Sequence, residues 1–374
     1  MTDCTRRDWL RLISAAGLTI GATHLSADDG HQVSTSTVHD DIREELDAAP
    51  LSLRFRGRSR TEFEAWQVEF RDTLKRLLGN STPPKEWAEI SESRVELDDH
   101  TRLELLLRAP GAPDLPVYLL LPRGASADSP VPGMLCLHGH GDHGHHPIVG
   151  RTDLPGVAEA IESAHYDYGL QFVRRGYAVA APCLIPFGRR VDRDRYGSQD
   201  PCAVTFVRLQ GLGRLPIAEN LRDAQWSISL LQQRPEVDAQ QIGCAGLSYG
   251  GRMSMLTAAM DDRIRVATIS GALNLMQERL QSRYSCGSQI IPGLLQFGDH
   301  PEIGGLIAPR PCVWEVGSKD PLIRSPFAED FRARLATIYR AAGADDHLYF
   351  DDFEGGHRWN GADSYTVTAA ALQR

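Results

Sequence analysis

The chain has 374 residues, 42% of them hydrophobic and 24% charged, with a formal net charge of -9. That content can bury a large core, and one catalytic domain of ~250 residues with an appendage suits the length. The acidic balance and the lack of a long basic cluster argue against nucleic acid or an anionic membrane as a partner.

From the start, Thr5-Arg6-Arg7-Asp8-Trp9-Leu10 sets an arginine pair before an apolar pair, and the segment 12–22 is short, mildly apolar and rich in alanine and glycine. This predicts a twin-arginine-type export signal over residues 1–27, with cleavage near Ala27 and a periplasmic or extracellular mature protein. The segment is too short and mild for a spanning helix, so no membrane span is expected in the mature protein. A cytosolic amphipathic helix with two surface arginines is the alternative reading. The polar residues that follow predict a disordered linker over 28–45. In 61–78, Phe63, Trp66, Phe70, Leu74, Leu77 and Leu78 recur at near-helical spacing, predicting an amphipathic helix that braces the core. Residues 94–107 and 116–121 read as antiparallel first strands around a turn at 110–113, so that residues 46–114 pack on a catalytic domain at 115–374.

Residues 131–137 form an apolar strand ending in His138-Gly139-His140-Gly141, whose small residues let the backbone approach a substrate carbonyl. His138, His140, His143, His145 and His146 crowd together and raise the possibility of a metal. Their spacing lacks the rigid H-E-x-x-H arrangement with a carboxylate, so no metal and no cofactor are expected, and the extra histidines read as a polar rim of the pocket. Strand-like 177–181, helix-like 221–233 and strand-like 265–269 continue an alternation that implies a mostly parallel sheet flanked by helices. Two insertions, 142–168 and 182–219, follow strand ends and are expected to wall the pocket with Tyr166, Tyr168, Phe187, Tyr196 and Phe206. No internal repeat is visible.

Gly246-Leu247-Ser248-Tyr249-Gly250 joins a strand-like run to a helix-like one, which is the sequence form of a nucleophile elbow. A serine alcohol is a weak nucleophile at neutral pH, so it needs a base in reach of its proton and backbone amides facing the developing oxyanion. The amides of Tyr249 and His140 are the expected oxyanion donors. Downstream, Asp320 follows the strand-like run 311–316, and His357 follows 347–350 and the glycines Gly355 and Gly356. Ser248, Asp320 and His357 thus fall in the chain order of an alpha/beta-hydrolase triad, the aspartate holding the histidine's tautomer and charge.

Further segments carry a resemblance: Arg234-Pro235-Glu236-Val237-Asp238 with Ile242-Gly243, Cys286-Gly287 with Ile291-Pro292-Gly293, and Leu306-Ile307-Ala308-Pro309-Arg310-Pro311. With the histidine loop and the elbow, they make the chain similar to alpha/beta hydrolases of the dienelactone-hydrolase-like group and its acetyl-xylan-esterase-like branch, over about residues 115–360. The resemblance implies an alpha/beta-hydrolase fold with an N-terminal helical appendage and loop insertions over the pocket. It places nucleophile, acid and base on Ser248, Asp320 and His357, with oxyanion amides at Tyr249 and His140. In one departure, relatives often carry a glycine-rich stretch ending in lysine where this chain has Asp142-His143-Gly144-His145-His146.

The function expected is an exported serine esterase that cleaves short-acyl esters through an acyl-enzyme, on a small molecule or a polysaccharide. A prolyl-oligopeptidase-like peptidase shares the triad but usually has a large gating domain, and a binding protein on a hydrolase fold would not need the full triad. Of seven cysteines, Cys136, Cys244 and Cys312 fall in expected core strands, whereas Cys183, Cys202 and Cys286 sit in loop-like sequence with room for at most one bridge.

Overall fold

A computed structural model describes residues 36–372 other than 283 and 284, without the side chains of Arg193, Tyr196 and Ser282. The expected export signal and residues 28–35 of the expected linker lie outside the described residues. From Val38 onward that linker is not irregular, because a helix runs over Val38–Asp47. The Thr37 hydroxyl accepts the Asp40 amide at 3.3 Å while the Asp40 carboxylate accepts the Thr37 amide at 3.0 Å. That reciprocal cap starts the helix despite its polar composition.

Ile42–Arg374 forms one compact unit built on a nine-stranded sheet of order β1-β2-β3-β5-β4-β6-β7-β8-β9. The strands are β1 Ala88–Glu96, β2 His100–Arg108, β3 Leu115–Pro122, β4 Val131–Leu137, β5 Ala178–Pro182, β6 Val237–Leu247, β7 Ile264–Ser270, β8 Cys312–Gly317 and β9 Leu348–Phe353. The first three pair antiparallel, as does β3 with β5, and the remaining pairs are parallel. Sequence alternation merges β1 and β2 into one strand starting at Arg94. The structure instead turns at Leu97–Asp99, where the Leu97 amide bonds the His100 carbonyl at 2.9 Å. A two-residue period continues across a short hairpin, so it cannot mark where the chain reverses.

The inner strands are apolar throughout because both faces are covered: every residue of β3, β5 and β8 is buried. Alternate β4 residues feed two cores, Leu135 and Leu137 on one side, Met134 and Cys136 on the other. The exposed edge strand β1 is polar and charged, which blunts edge pairing. The brace helix runs over Arg60–Leu78, opened by a capping box between Ser59 and Glu62. Trp66 stacks on Phe70 at 5.5 Å and donates to the Leu53 carbonyl at 2.7 Å. Gln67 bonds the carbonyl of Ala308 at 2.8 Å, tying this helix to the segment that leads into β8.

Candidate active site

The site lies where β6, β7 and β8 end. Strand β6 stops at Leu247 and a helix starts at Tyr249, leaving Ser248 on the turn with φ 63° and ψ -120°. A non-glycine residue in that region costs roughly 1–3 kcal/mol, which the surrounding packing must enforce. The Ser248 amide bonds the Ser270 carbonyl at 2.9 Å, pinning the turn to β7. A β-carbon at Gly250 would run into the carbonyl of Leu137, so the elbow can press against the end of β4 only with glycine there.

The expected acid and base are joined by backbone contacts between two loops. Ser318 and Lys319 donate to the carbonyls of Phe353 at 2.9 Å and Gly355 at 2.8 Å. This brings buried Asp320 against His357, whose Nδ1 lies 2.7 Å from Asp320 Oδ2. The other carboxylate oxygen accepts the Leu322 amide at 2.9 Å, so the acid is oriented from both sides. Gly271 seats the ring: a β-carbon there would come within 2.7 Å of His357 Cε1. Among the described residues Nε2 makes no hydrogen bond, which leaves it available to accept a proton. Ser248 and His357 face one cavity of about 300 Å³, although among the described residues no hydrogen bond joins them. In unliganded sites such contacts are often long and tighten with substrate.

Both residues expected to supply oxyanion amides stand beside Ser248. Tyr249 is the first residue of its helix, where amides have no intrahelical acceptor, and the His140 ring is 5.1 Å from the Tyr249 ring. Among the described residues neither amide donates within the chain. The neighbouring Gly139 amide donates to the Tyr166 hydroxyl at 2.6 Å, which fixes the loop, and the Tyr249 hydroxyl is held by Asn220 at 2.7 Å.

The histidine loop differs from the expected polar rim. His140 and His143 line the cavity, but His138 and His145 are buried. His138 Nε2 accepts the Leu184 amide at 2.8 Å and Nδ1 donates to the Gly139 carbonyl, also at 2.8 Å. Burial pushes the His138 pKa down to about 4, so it is a neutral structural tie. His146 meets the Tyr118 hydroxyl at 2.9 Å and is likewise lowered to about 4, mainly by burial.

The aromatic wall also needs correction. Of the five expected aromatics, Tyr166 lines the cavity of Ser248 and His357, along with small residues such as Ala160, Ser163 and Ala164. Tyr168 is fully buried, stacked on Trp359 at 4.7 Å and donating to the Leu137 carbonyl at 2.5 Å. Phe187 packs under His138 and His140, and Phe206 lies against Gly287. The side chain of Tyr196 is outside the described residues. Alternate residues of an insertion point into the core or toward the cavity, and sequence spacing alone does not say which.

His140, Cys202 and Cys286 place their donor atoms within 4.8 Å of one another. This set could hold a soft cation, an option the histidine spacing does not reveal. All six described cysteines are free, and Cys202 lies in the helix Pro201–Gln210 rather than in a loop. The Cys286 thiol is lowered, first by its contact with Cys202 and then by His140. The same contact, together with burial, pushes Cys202 up.

Sequence reasoning misses Glu315, a buried acid in apolar β8. It accepts the amides of Asn360 at 3.1 Å and Gly361 at 2.7 Å and the Ser364 hydroxyl at 2.5 Å, anchoring the loop just past His357. A lone acid inside Val313-Trp314-Glu315-Val316 is the available signal. A larger apolar cavity of about 320 Å³, lined by Ile42, Leu46 and Leu294, has Glu45 at its wall but no serine, cysteine or histidine, so chemistry rather than size locates the site.

No protein-family model matches the chain. It is 29% identical over 288 residues to YtaP of Bacillus subtilis (strain 168), a protein named as a proposed hydrolase, which covers 75% of this chain and 90% of that relative. Among solved structures, one from Bacteroides fragilis NCTC 9343 proposed as an acetyl xylan esterase matches with TM-score 0.71 and 18% identity, over 86% of this chain and 83% of that one. A glucuronoyl esterase from Solibacter usitatus matches with TM-score 0.60 and 16% identity, over 83% and 94%. Another, from Teredinibacter turnerae T7901, matches with TM-score 0.60 and 20% identity, over 88% and 89%. The chain has the alpha/beta-hydrolase fold.

Proposed function

We propose that this alpha/beta hydrolase is a serine esterase acting on short-acyl esters, of the acetyl type, carried by a small molecule or a polysaccharide. Ser248 attacks the ester carbonyl, His357 takes its proton and returns it to the leaving alcohol, and Asp320 holds the imidazole tautomer and its charge. The amides of Tyr249 and His140 receive the oxyanion, and water then cleaves the acyl-enzyme with His357 as base. One observation carries this reading. A serine strained at φ 63° shares a cavity with a histidine whose other nitrogen is bonded to a buried aspartate. The names of the structural neighbours agree with an ester substrate, and the small residues lining the cavity favour a short acyl group.

An organophosphonate should inactivate the protein by labelling Ser248, while dialysis against a strong chelator should leave the rate of 4-nitrophenyl acetate hydrolysis unchanged. Loss of activity on chelation, restored by zinc, would instead make His140, Cys202 and Cys286 the reactive centre. The proposal extends to export through residues 1–27. Replacing Arg6 and Arg7 by lysine should retain a folded, active precursor inside the cell.

A further inference from the structure

A second compartment opens beside Ser248. It is about 220 Å³ in volume, and its lining includes Ser248, Arg252, Asn274, Arg279 and Gln289. Arg252 sits one helical turn past the nucleophile, its amide 2.9 Å from the Ser248 carbonyl, and is only 2% exposed. One end of its guanidinium is satisfied: Nη2 donates to Asn274 Oδ1 at 2.7 Å. Nε and Nη1 are buried with no hydrogen-bond partner among the described residues.

Among the described residues no carboxylate compensates this charge at close range. Among the described residues Arg252 has no ion pair, and the acid whose field reaches it is Asp299. The Asp299 oxygens are already taken by the amides of Met276 at 2.8 Å, Gln277 at 3.0 Å and His300 at 2.6 Å. Arg279, a second cation, lines the same compartment. Burial first, and then Arg279, lower the Arg252 pKa to about 9, which still leaves it charged at neutral pH. A buried cation with open donors is costly unless an anion meets it, and a planar guanidinium matches a carboxylate fork.

We propose that Arg252, with Asn274 and Arg279 beside it, binds a carboxylate carried by the ester substrate, so that the preferred esters are acidic ones. This rests on the esterase reading of Ser248. The carboxylate comes either from an acidic sugar on the alcohol side or from a diacid on the acyl side, and the two are separable by experiment.

The test compares kcat/KM for two matched pairs: O-acetylated galacturonic acid against its methyl ester, and 4-nitrophenyl hydrogen adipate against 4-nitrophenyl hexanoate. The wild-type protein should prefer the acid in at least one pair by about tenfold or more. A preference in the sugar pair assigns the acid to the alcohol side, and one in the adipate pair to the acyl side. Arg252→Gln should erase the preference, chiefly through KM, and Arg252→Lys should keep part of it. In parallel, galacturonate and adipate are titrated into Ser248→Ala protein and into the Ser248→Ala, Arg252→Gln double variant, with galactose and adipamide as neutral controls. Binding of an acid but not its control, lost with Arg252, supports the site. Equal rates within both pairs, or a preference that survives Arg252→Gln, overturn it. Acids that bind while no ester is cleaved would defeat the esterase reading and leave the anion site standing. Esters cleaved without discrimination, with no acid bound, would do the reverse.

Discussion

The strand ends and the insertions that follow them are held by different physics. At β6, β7 and β8 backbone meets backbone: Ser248 on Ser270, Gly271 on Glu315, and Lys319 on Gly355. In the insertions side chains do the holding. The Tyr166 hydroxyl takes the Gly139 amide, Asn220 bonds both amide and carbonyl of Ile185, and Arg190 pairs with buried Asp223 at 2.5 Å. Backbone contacts of the first kind leave no room for a side chain, as Gly250 shows. Side-chain contacts can be exchanged one at a time. The groups proposed to react therefore sit on the part of the fold that tolerates least change, and the cavity wall sits on the part that can vary.

The comparison breaks most visibly at the nucleophile. Ser248→Ala should lower kcat for 4-nitrophenyl acetate by at least ~10⁴-fold, and adding His357→Ala should barely deepen the loss, because the two act in one step. Wild-type-like activity in purified Ser248→Ala protein would remove the assignment. Asp320→Asn should cost about 10³–10⁴-fold, since an amide can hold the wrong tautomer of His357. A loss under tenfold would mean that the bond between Asp320 and His357 only positions the loop.

Two neighbouring tyrosines sharpen the contrast. Tyr166→Phe leaves the Gly139 amide without its acceptor and loosens the loop carrying His140, so kcat should fall roughly tenfold with KM little changed. Tyr168→Phe removes a hydroxyl that serves the core, and should lower stability by about 1–2 kcal/mol with kcat nearly unchanged. Urea titrations beside steady-state kinetics would test the pair, and equal effects on kcat would erase the distinction between wall and core. Along an acyl series, catalytic efficiency should fall several-fold between acetyl and octanoyl esters as added methylenes meet the wall of the 300 Å³ cavity. A rise toward eight carbons would instead reveal an open apolar channel.

The smallest effect concerns pH. His138 and His146 are held near pKa 4 in the fold, against about 6.5 in the unfolded chain. Between those values the unfolded state binds more protons, so stability rises with pH across the window and falls as pH drops from about 6.5 toward 4. Asp299, Glu302 and Glu315, all raised by burial, act in the opposite direction at the acid end. His146→Gln should flatten the dependence by roughly 1–2 kcal/mol between pH 7 and pH 5, read from urea midpoints. An unchanged slope would show that His146 binds protons equally in the folded and unfolded states.

Much of this was legible in the sequence, and for local reasons. Residues 131–137 are strand β4 without adjustment, and the helix expected at 61–78 begins one residue earlier. The elbow, acid and base stand at strand ends, as their flanking patterns require. Periodicity of two or of 3.6 and glycines at fixed offsets are properties of a few consecutive residues, so they survive without knowledge of the fold. The hairpin at Leu97–Asp99 and the cap at Thr37 lie below that signal, because a short turn or a single side chain can redirect the backbone.

What the sequence determined by itself was the order of the elements and the identity of the groups at their ends, since both are written in short-range pattern. Tertiary structure alone decided which of Tyr166 and Tyr168 faces the cavity, that His138 is a buried tie rather than a rim, and that Cys202 and Cys286 meet at His140. It also decided that Arg252, with two buried nitrogens lacking a partner among the described residues, lines a compartment beside Ser248. Each of these depends on which distant residues arrive at one point and on how much water is left there. Pairing and desolvation belong to the packed chain, and no local stretch of residues encodes them.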